Sequence, residues 1–478
     1  MALVWTIALT ANYVLVPFMI ASVLRRRKEP MAMLAWILGI VFIPFIGMLL
    51  YWLMGSNLVV RRARRRRQRV AHLISRIESW THQQLDIDRA GHELPRDLVS
   101  VARLGKRLSG MPATAGNEVR VYQESNETYG ALEQAISGAR HHIHLEYYIW
   151  QPDATGYALR DLVVEKAGAG VQCRLLLDSI GCWRLGRRFT EPLAAAGVQL
   201  AFFLPLRSFR WQISPHLRNH RKIAVVDGQV AFMGSQNIGD EYRGRLRKLS
   251  PWYDTHIRVN GPAALFLQRT FAEDWLFATR EDLAGEEYFS KPELVGDSIM
   301  QILPTGPDQN VSPLEQIVFA AVSSAQGSIR ITTPYFVPSP GLRMALVHAA
   351  SRGVRVELLL PTRSDSTIML WAGRSFYAEL LEAGVRVYEY DQGVLHSKIV
   401  TVDERWCMLG SANMDVRSFR LNFEITALIY DPRVARELSD SIGRFRDRAR
   451  AIRLGDVRQR RVHQQLAEGT ARLLTPLL

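Results

Sequence analysis

Cysteine is scarce in this chain of 478 residues: there are three, Cys173, Cys182 and Cys407. Their number is odd and no two stand at C-x-x-C spacing, so neither a disulfide framework nor a structural zinc site is expected. Charge is missing from two stretches. Residues 2–24 and 33–54 carry none, and each reaches the roughly 20 apolar residues that span a bilayer. The body of the chain also lacks a basic stripe. Of the net charge of +14, ten units sit in two short runs, residues 25–29 and 61–69. That argues against a nucleic-acid groove on the folded part and for charges at a membrane boundary.

The two uncharged stretches predict a pair of transmembrane helices within residues 1–60. A cleaved signal peptide expects positive charge before a shorter apolar core, whereas here the charge follows the first span. Trp5, Tyr51 and Trp52 lie near span ends, where interfacial aromatics are favoured, and Pro44 is placed to kink the second helix. The loop between the spans has four basic residues and the segment after them has seven, which by the positive-inside rule puts the rest of the chain in the cytoplasm. Residues 61–116 then read as a basic juxtamembrane connector, its arginines lying against anionic headgroups at about 1 kcal/mol each.

From residue 117 onward strand and helix signals alternate, which is α/β order. Gly170-Val-Gln-Cys-Arg-Leu-Leu-Leu177 is echoed by Gly353-Val-Arg-Val-Glu-Leu-Leu-Leu360, and Ala196-Gly197-Val198 by Ala383-Gly384-Val385. A stronger echo carries chemistry. His220, Lys222, Asp227, Gly234, Ser235 and Asn237 return at the same spacing as His396, Lys398, Asp403, Gly410, Ser411 and Asn413. Two matches to a six-position pattern mark a duplicated half-site. The expected architecture is therefore two repeats, 117–285 and 286–456, each a mixed β-sheet flanked by helices, with a tail over 457–478.

On a strand, residues i and i+2 share a face, so His220 points with Lys222 and His396 with Lys398. Each pair sets a nucleophile or acid beside a positive charge. Gly234 and Gly410 let the backbone approach a ligand, while Ser235, Asn237, Ser411 and Asn413 add donors suited to a phosphate. Asp254 and Glu424 open the next alternating strands. A histidine that attacks phosphorus needs its second ring nitrogen held by an acceptor, and these two carboxylates are the candidates, Asp254 with His220 and Glu424 with His396. His141, His142 and His144 read as a polar strand edge, since no carboxylate or cysteine stands at ligand spacing. The aromatic and basic stretch 202–213, and the segment 243–248, are candidate membrane-dipping or lid segments.

The doubled H-x-K-x4-D motif with G-S-x-N resembles the phospholipase D superfamily. Over nearly its whole length the chain is similar to the bacterial cardiolipin synthases: Ala35-Trp36-Ile37-Leu38-Gly39-Ile40 and Pro44-Phe45-Ile46-Gly47 in the anchor, Arg218-Asn219 before the first motif, Met414-Asp415 with Arg417-Ser418-Phe419 after the second, Asn422-Phe423-Glu424, and Thr475-Pro476-Leu477-Leu478 at the end. That resemblance implies two phospholipase D-like repeats sharing one active site, formed by His220, Lys222, Asp227, His396, Lys398 and Asp403. It implies a phosphohistidine on one histidine and general acid work by the other, with either histidine fitting either role. It implies no metal and no cofactor. The implied reaction joins two phosphatidylglycerol molecules into cardiolipin and glycerol at a bacterial inner membrane, with phosphatidylglycerol, other anionic phospholipids and the bilayer as partners and no nucleic acid. The alternative is a membrane-anchored phospholipase D or another phosphodiesterase or nuclease that uses water as acceptor.

Overall fold

The computed structural model describes residues 14–25, 30–43, 45–51, 68, 70–79, 87–204, 217–246, 250–309, 312–364 and 366–475. The chain divides into a small unit within residues 1–62 and a large one that carries residues 63–205 and 217–478. The basic run 61–69, apart from Gln68, lies outside the described residues, as do Pro44, Trp5, Trp52 and residues 205–213.

In the small unit residues 14–24 are helical, followed by α1 (Pro30–Phe42) and α2 (Ile46–Leu50). A continuous helix over 33–54 is not what forms. Phe45 takes a left-handed φ of 62° between α1 and α2. Gly47 comes so close to α1 that a Cβ there would stand 2.0 Å from the Gly39 carbonyl oxygen. Eight residues of unbroken helix would hold those positions about 12 Å apart, so the chain turns back on itself. Among the described residues no helix is long and apolar enough to cross a membrane. Val23, Ile40, Met48 and Tyr51 form the unit's core, with Trp36 edge-on to Tyr51 at 5.4 Å. Its surface is apolar too, with Phe18, Phe42 and Ile46 well exposed.

In the large unit residues 70–79 and Ile87–Glu93 are helical, and α3 (Arg96–Ser109) follows, its buried side carrying Leu98, Val101 and Ala102. The first repeat supplies β1 (Thr114–Tyr122), α4 (Ser125–Gly138), β2 (His142–Tyr147), α5 (Ala154–Gly168), β3 (Gln172–Asp178), α6 (Arg187–Ala195), β4 (Gln199–Phe203), β5 (Lys222–Val226), β6 (Val230–Gly234), β7 (Trp252–Tyr253), β8 (His256–Asn260) and α7 (Pro262–Thr279). The second supplies β9 (Ser298–Thr305), α8 (Pro313–Ser324), β10 (Ser328–Thr332), α9 (Pro340–Ser351), β11 (Arg355–Pro361), α10 (Thr367–Arg374), α11 (Tyr377–Glu382), β12 (Arg386–Tyr390), β13 (Val394–Leu395), β14 (Ile399–Val402), β15 (Trp406–Gly410), α12 (Val416–Arg420), β16 (Glu424–Ile429), α13 (Pro432–Arg446) and β17 (Arg450–Ile452). The tail adds α14 (Val462–Leu473).

One 15-stranded sheet runs in the order β17-β12-β11-β10-β14-β15-β16-β9-β1-β8-β6-β5-β2-β3-β4. Apart from β17 the order is a palindrome about the β9–β1 junction, the mark of a pseudo-twofold. The expectation of one sheet per repeat is thus refined: β1 and β9 pair antiparallel through Asn117↔Ser298 and join the two sheets. The Leu-rich runs of β3 and β11 are buried along almost their whole length, as parallel strands covered on both faces must be. Gly170 and Gly353, with φ of 92° and 88°, turn the chain from helix into those strands, a left-handed corner that Gly takes without a Cβ clash. Helices α7 and α13 each begin with Pro at the first helical position, where its missing N–H costs nothing.

Candidate active site

His220 and His396 stand just before β5 and β14, at the end of the sheet where β2 and β10 finish: Lys222 pairs with Tyr147 on β2, and Ile399 with Thr332 on β10. Each motif is threaded against the other repeat. Asn219 bridges to Phe423, and the His220 N–H donates to the Phe423 carbonyl at 2.8 Å. In mirror image β13 pairs with β7, and the His396 N–H donates to the Tyr253 carbonyl at 2.8 Å.

This crossing corrects the pairing read from the sequence. His220 Nδ1 lies 2.9 Å from Glu424 Oε2, and His396 Nδ1 lies 2.7 Å from Asp254 Oδ1. Each carboxylate belongs to the other repeat, because the residue that runs beside each histidine is next to that carboxylate in the chain. The second oxygen of each acid is also held, by Asn422 Nδ2 at 3.1 Å from Glu424 Oε1 and by Trp252 Nε1 at 2.7 Å from Asp254 Oδ2. Both histidine side chains keep 12–13% of their surface open, while the acids are closed off.

The lysines sit beside their own histidines. Lys222 Nζ donates to the His220 carbonyl at 2.6 Å and lies 5.2 Å from the centre of the Tyr148 ring. Lys398 Nζ donates to the His396 carbonyl at 2.7 Å and is 2.9 Å from His396 Nε2. Burial pulls the His220 pKa down to about 4, with the Lys222 charge adding to it against Glu424. Burial likewise brings Lys222 to about 7, helped by the Lys398 charge. Burial opposes ionisation of the acids, but the histidine and lysine charges win, holding Asp254 and Glu424 below the usual carboxylate range. The arrangement presents a neutral imidazole with its outer nitrogen available at His220, anchored by an ionised acid, next to cationic groups that suit an anionic phosphoryl centre.

Other motif residues lie elsewhere. Asp227 and Asp403 are at the far ends of β5 and β14, away from the histidines. Asp227 accepts the backbone N–H groups of Arg140, His141 and His142 at 2.8–2.9 Å, and Asp403 those of Gln326, Gly327 and Ser328 at 2.7–2.9 Å. They therefore clamp the turns into β2 and β10 and do not touch the site, contrary to the catalytic reading. Ser235 and Ser411 do not present free hydroxyls to a phosphate either. Ser411 Oγ donates to Glu424 Oε2 at 2.5 Å and accepts the Ile425 N–H at 3.0 Å; Ser235 Oγ donates to the Thr255 carbonyl at 3.1 Å and accepts the Thr255 N–H at 2.9 Å. Asn237 Oδ1 accepts the Ile149 N–H at 3.2 Å, and the Asn413 N–H donates to Ser418 Oγ at 3.1 Å.

Several residues here carried no motif signal. The Tyr148 ring stands edge-on to His220 at 4.8 Å, and Trp252 packs against His396 at 5.0 Å. Beneath them is a buried polar layer. Asn219 Nδ2 donates to Glu146 Oε1 at 2.6 Å, and Arg221 binds Asp274 while donating to the Glu424 carbonyl at 3.0 Å and the Thr305 carbonyl at 3.1 Å. Burial and the charge of Asp274 raise the Glu146 carboxyl well above its ordinary range. The alternation of polar and apolar residues in His142-Ile143-His144-Leu145-Glu146 was the available signal for Glu146. His142 and His144 are core groups: burial takes His142 to about 4 and draws His144 well below its ordinary value, and the His144 ring stacks on Phe271 at 4.5 Å. Among the described residues no group of three or more His, Cys, Asp or Glu is arranged to hold a metal ion. Arg243, within the candidate lid segment, is tied to Glu133 and Asn126 at 3.1 Å each.

Two His–Lys pairs and two crossed carboxylates meeting across a duplicated sheet define an enzyme of the phospholipase D type. The family model described as cardiolipin synthase, PLD-like domain, matches residues 132–249 and 318–446, and one described as phospholipase D-nuclease N-terminal matches 14–56. The chain belongs to the cardiolipin synthase family, and it is a phosphatidyltransferase. It is 37% identical to a cardiolipin synthase of Geobacillus thermodenitrificans over 99% of this chain and 94% of that protein, and 36% identical to cardiolipin synthase 2 of Bacillus cereus over 94% and 88%. Among solved structures, a phosphatidylserine synthase of Haemophilus influenzae shares the fold, with a TM-score of 0.60 at 16% identity over 79% of this chain and all of that one.

Proposed function

We propose that the chain makes cardiolipin by moving a phosphatidyl group from one phosphatidylglycerol to another, releasing glycerol. The observation that supports this most is the pair of histidines, each with Nδ1 held by an ionised acid of the other repeat. In the first step Nε2 of one histidine forms a bond to phosphorus and the P–O bond to the glycerol headgroup breaks. The other histidine gives its proton to the departing alkoxide. In the second step that histidine takes the proton from a hydroxyl of the second phosphatidylglycerol, whose oxygen attacks phosphorus and frees the first histidine. Lys222 and Lys398 stabilise charge on the phosphoryl oxygens, and the amides of Asn237 and Asn413 add donors. Ser411 and Ser235 steady the acids.

The apolar exterior of the small unit, with Phe18, Phe42 and Ile46 uncovered, supports an anchor in the bilayer of a bacterial cell membrane, since water would not tolerate such a surface. The excess of arginine in 61–69 over the 25–28 run favours a cytoplasmic catalytic unit. The test is a product assay on the full-length purified chain in vesicles of phosphatidylglycerol. Cardiolipin and free glycerol in equal amounts are expected. Phosphatidic acid as the only lipid product would replace the synthase with a hydrolase.

A further inference from the structure

The two crossovers that leave the active-site end of the sheet each carry an exposed tryptophan. After β3 the chain enters α6 through residues 179–186, where Trp183 is 74% exposed; after β11 it passes through α10, where Trp371 is 38% exposed. Strands β3 and β11 are partners under the pseudo-twofold, so these are equivalent places on opposite sides of the site. Both are fixed to its rim. Asp178 accepts the N–H groups of Ile180 and Gly181 at 2.9 and 3.0 Å, and a Cβ on Gly181 would stand 1.9 Å from the carbonyl oxygen of Tyr148, the residue against His220. On the other side a Cβ on Gly373 would stand 2.8 Å from the carbonyl oxygen of Phe336, which bridges to Met414 beside Asn413.

A third apolar feature adjoins Trp371. Helix α14 packs on α10 and α11, where Arg472 donates to the Ser375 carbonyl at 3.4 Å and lies over the Phe376 ring at 4.6 Å. Its buried side holds Glu468 and Ala471. On the outward side Val462, Leu466 and Leu473 are 66–80% exposed, and at 3.6 residues per turn they fall within about 40° of one another, opposite the packed side.

Charge selects the occupant. Residues 179–191 include Arg184, Arg187 and Arg188, all exposed, against a single acid, Glu191, whose carboxylate lies 3.9 Å from Arg187. The acid of α14, Glu468, is turned inward and paired with Arg460 at 2.8 Å. Aromatic and aliphatic side chains rimmed by an excess of arginine over acid are what an anionic lipid surface binds.

We propose that the Trp183 crossover, Trp371 and the outer stripe of α14 form a docking surface that seats the mouth of the active site on a bilayer rich in anionic phospholipid. The proposal rests on the phospholipid reading above and names the surface that delivers the substrate. Its value to the enzyme is access: a diester in the headgroup layer reaches the histidines without its acyl chains crossing water.

The test uses the full-length chain reconstituted in phosphatidylglycerol vesicles, with one added cysteine at a time: Trp183→Cys, Leu466→Cys, and Gln199→Cys at the opposite end of the sheet as a reference. The three native cysteines are buried, so a fluorophore goes to the new site. Acyl-brominated lipid should quench the label at 183 and 466 but not at 199, aqueous iodide should show the reverse order, and replacing phosphatidylglycerol by phosphatidylcholine should weaken the lipid quenching. Iodide access at 183 and 466 equal to that at 199, without lipid quenching, would overturn the proposal. So would shielding from both quenchers, which would mean that the small unit or a second copy of the chain covers the surface. Quenching reports docking whatever the product, so a chain that released only phosphatidic acid would defeat the synthase reading and leave this one standing.

Discussion

His220 and Glu424 are 204 residues apart in the chain, yet Nδ1 of one lies 2.9 Å from Oε2 of the other. The reciprocal contact, His396 with Asp254 at 2.7 Å, spans 142 residues. Under the proposed mechanism neither repeat holds a complete catalytic unit, because each supplies the acid that the other's histidine needs. The joined sheet is therefore part of the chemistry: the strand pairing through β1 and β9 fixes the distance over which each acid must reach.

The first prediction concerns those acids. Glu424→Gln and Asp254→Asn keep the shape of the side chain but remove the charge that sets the histidine tautomer. By analogy with the orienting acid of a hydrolase triad, each should lower kcat by about 10³- to 10⁴-fold with little change in KM. The double variant should be scarcely worse than either single one, as for groups that act as a unit. Cardiolipin formation by well-folded variants, monitored by circular dichroism, checks this. A loss smaller than tenfold in both would show that the contacts are structural only.

The second follows from the two titrating groups. If His220 is the attacking histidine of the proposed mechanism it acts in its neutral form, and with its pKa drawn to about 4 that form persists well into the acid range. Lys222 acts as a cation, and with its pKa drawn to about 7 the cation is lost as pH rises through neutrality. The profile of kcat/KM should therefore rise near pH 4 and fall near pH 7. Lys222→Arg keeps the charge at every pH tested, so it should lose the alkaline limb even if its maximum is lower. An unchanged alkaline limb in that variant would assign the limb to another group.

A third prediction separates the motif aspartates from the site. Asp227→Ala removes an acceptor shared by three backbone N–H groups. Leaving such groups unpaired costs roughly 1–3 kcal/mol apiece where water cannot replace the acceptor, so the melting temperature should drop while turnover per folded molecule stays within a few-fold of the parent. Asp403→Ala should behave alike, having the same three-donor arrangement. Loss of turnover at unchanged melting temperature would return these residues to the catalytic set.

The duplicated fold was legible, as was the placing of each histidine beside its own lysine, because spacing reports both directly: His-x-Lys on a strand has one geometry, and a repeat announces itself. What spacing does not report is contact between distant segments. The crossing of His220 to Glu424 depends on Asn219 lying beside Phe423, a pairing with no local signal. The same blindness explains the aspartates, since Asp227 is in phase with the motif but at the wrong end of a five-residue strand, and explains Tyr148, which reaches His220 from β2. In the small unit, absence of charge predicted helix but not the reversal at Phe45, which turns on one backbone angle and on Gly47 fitting against Gly39.

The last prediction distinguishes a phosphate ligand from a support for the acids. Were the Ser411 hydroxyl a phosphate donor, Ser411→Ala would weaken substrate binding and raise KM. Instead the hydroxyl donates to Glu424 Oε2 and accepts the Ile425 N–H, so its removal frees the acid to shift and leaves a buried N–H unpaired. Glu424 retains His220 and Asn422 as donors, so the acid should be loosened without being lost. The expected result is a fall in kcat of about tenfold, corresponding to one hydrogen bond of about 1–1.5 kcal/mol to the acid, with KM unchanged. Ser235→Ala should have a smaller effect, because the Ser235 hydroxyl helps hold the Asp254 charge but also donates to the Thr255 carbonyl, whereas Ser411 Oγ donates to Glu424 Oε2 at 2.5 Å. Steady-state kinetics on both variants settles the matter: a raised KM with kcat intact would put the hydroxyls on the phosphate, whereas kcat losses ordered Ser411 above Ser235 would tie them to the histidine–acid pairs.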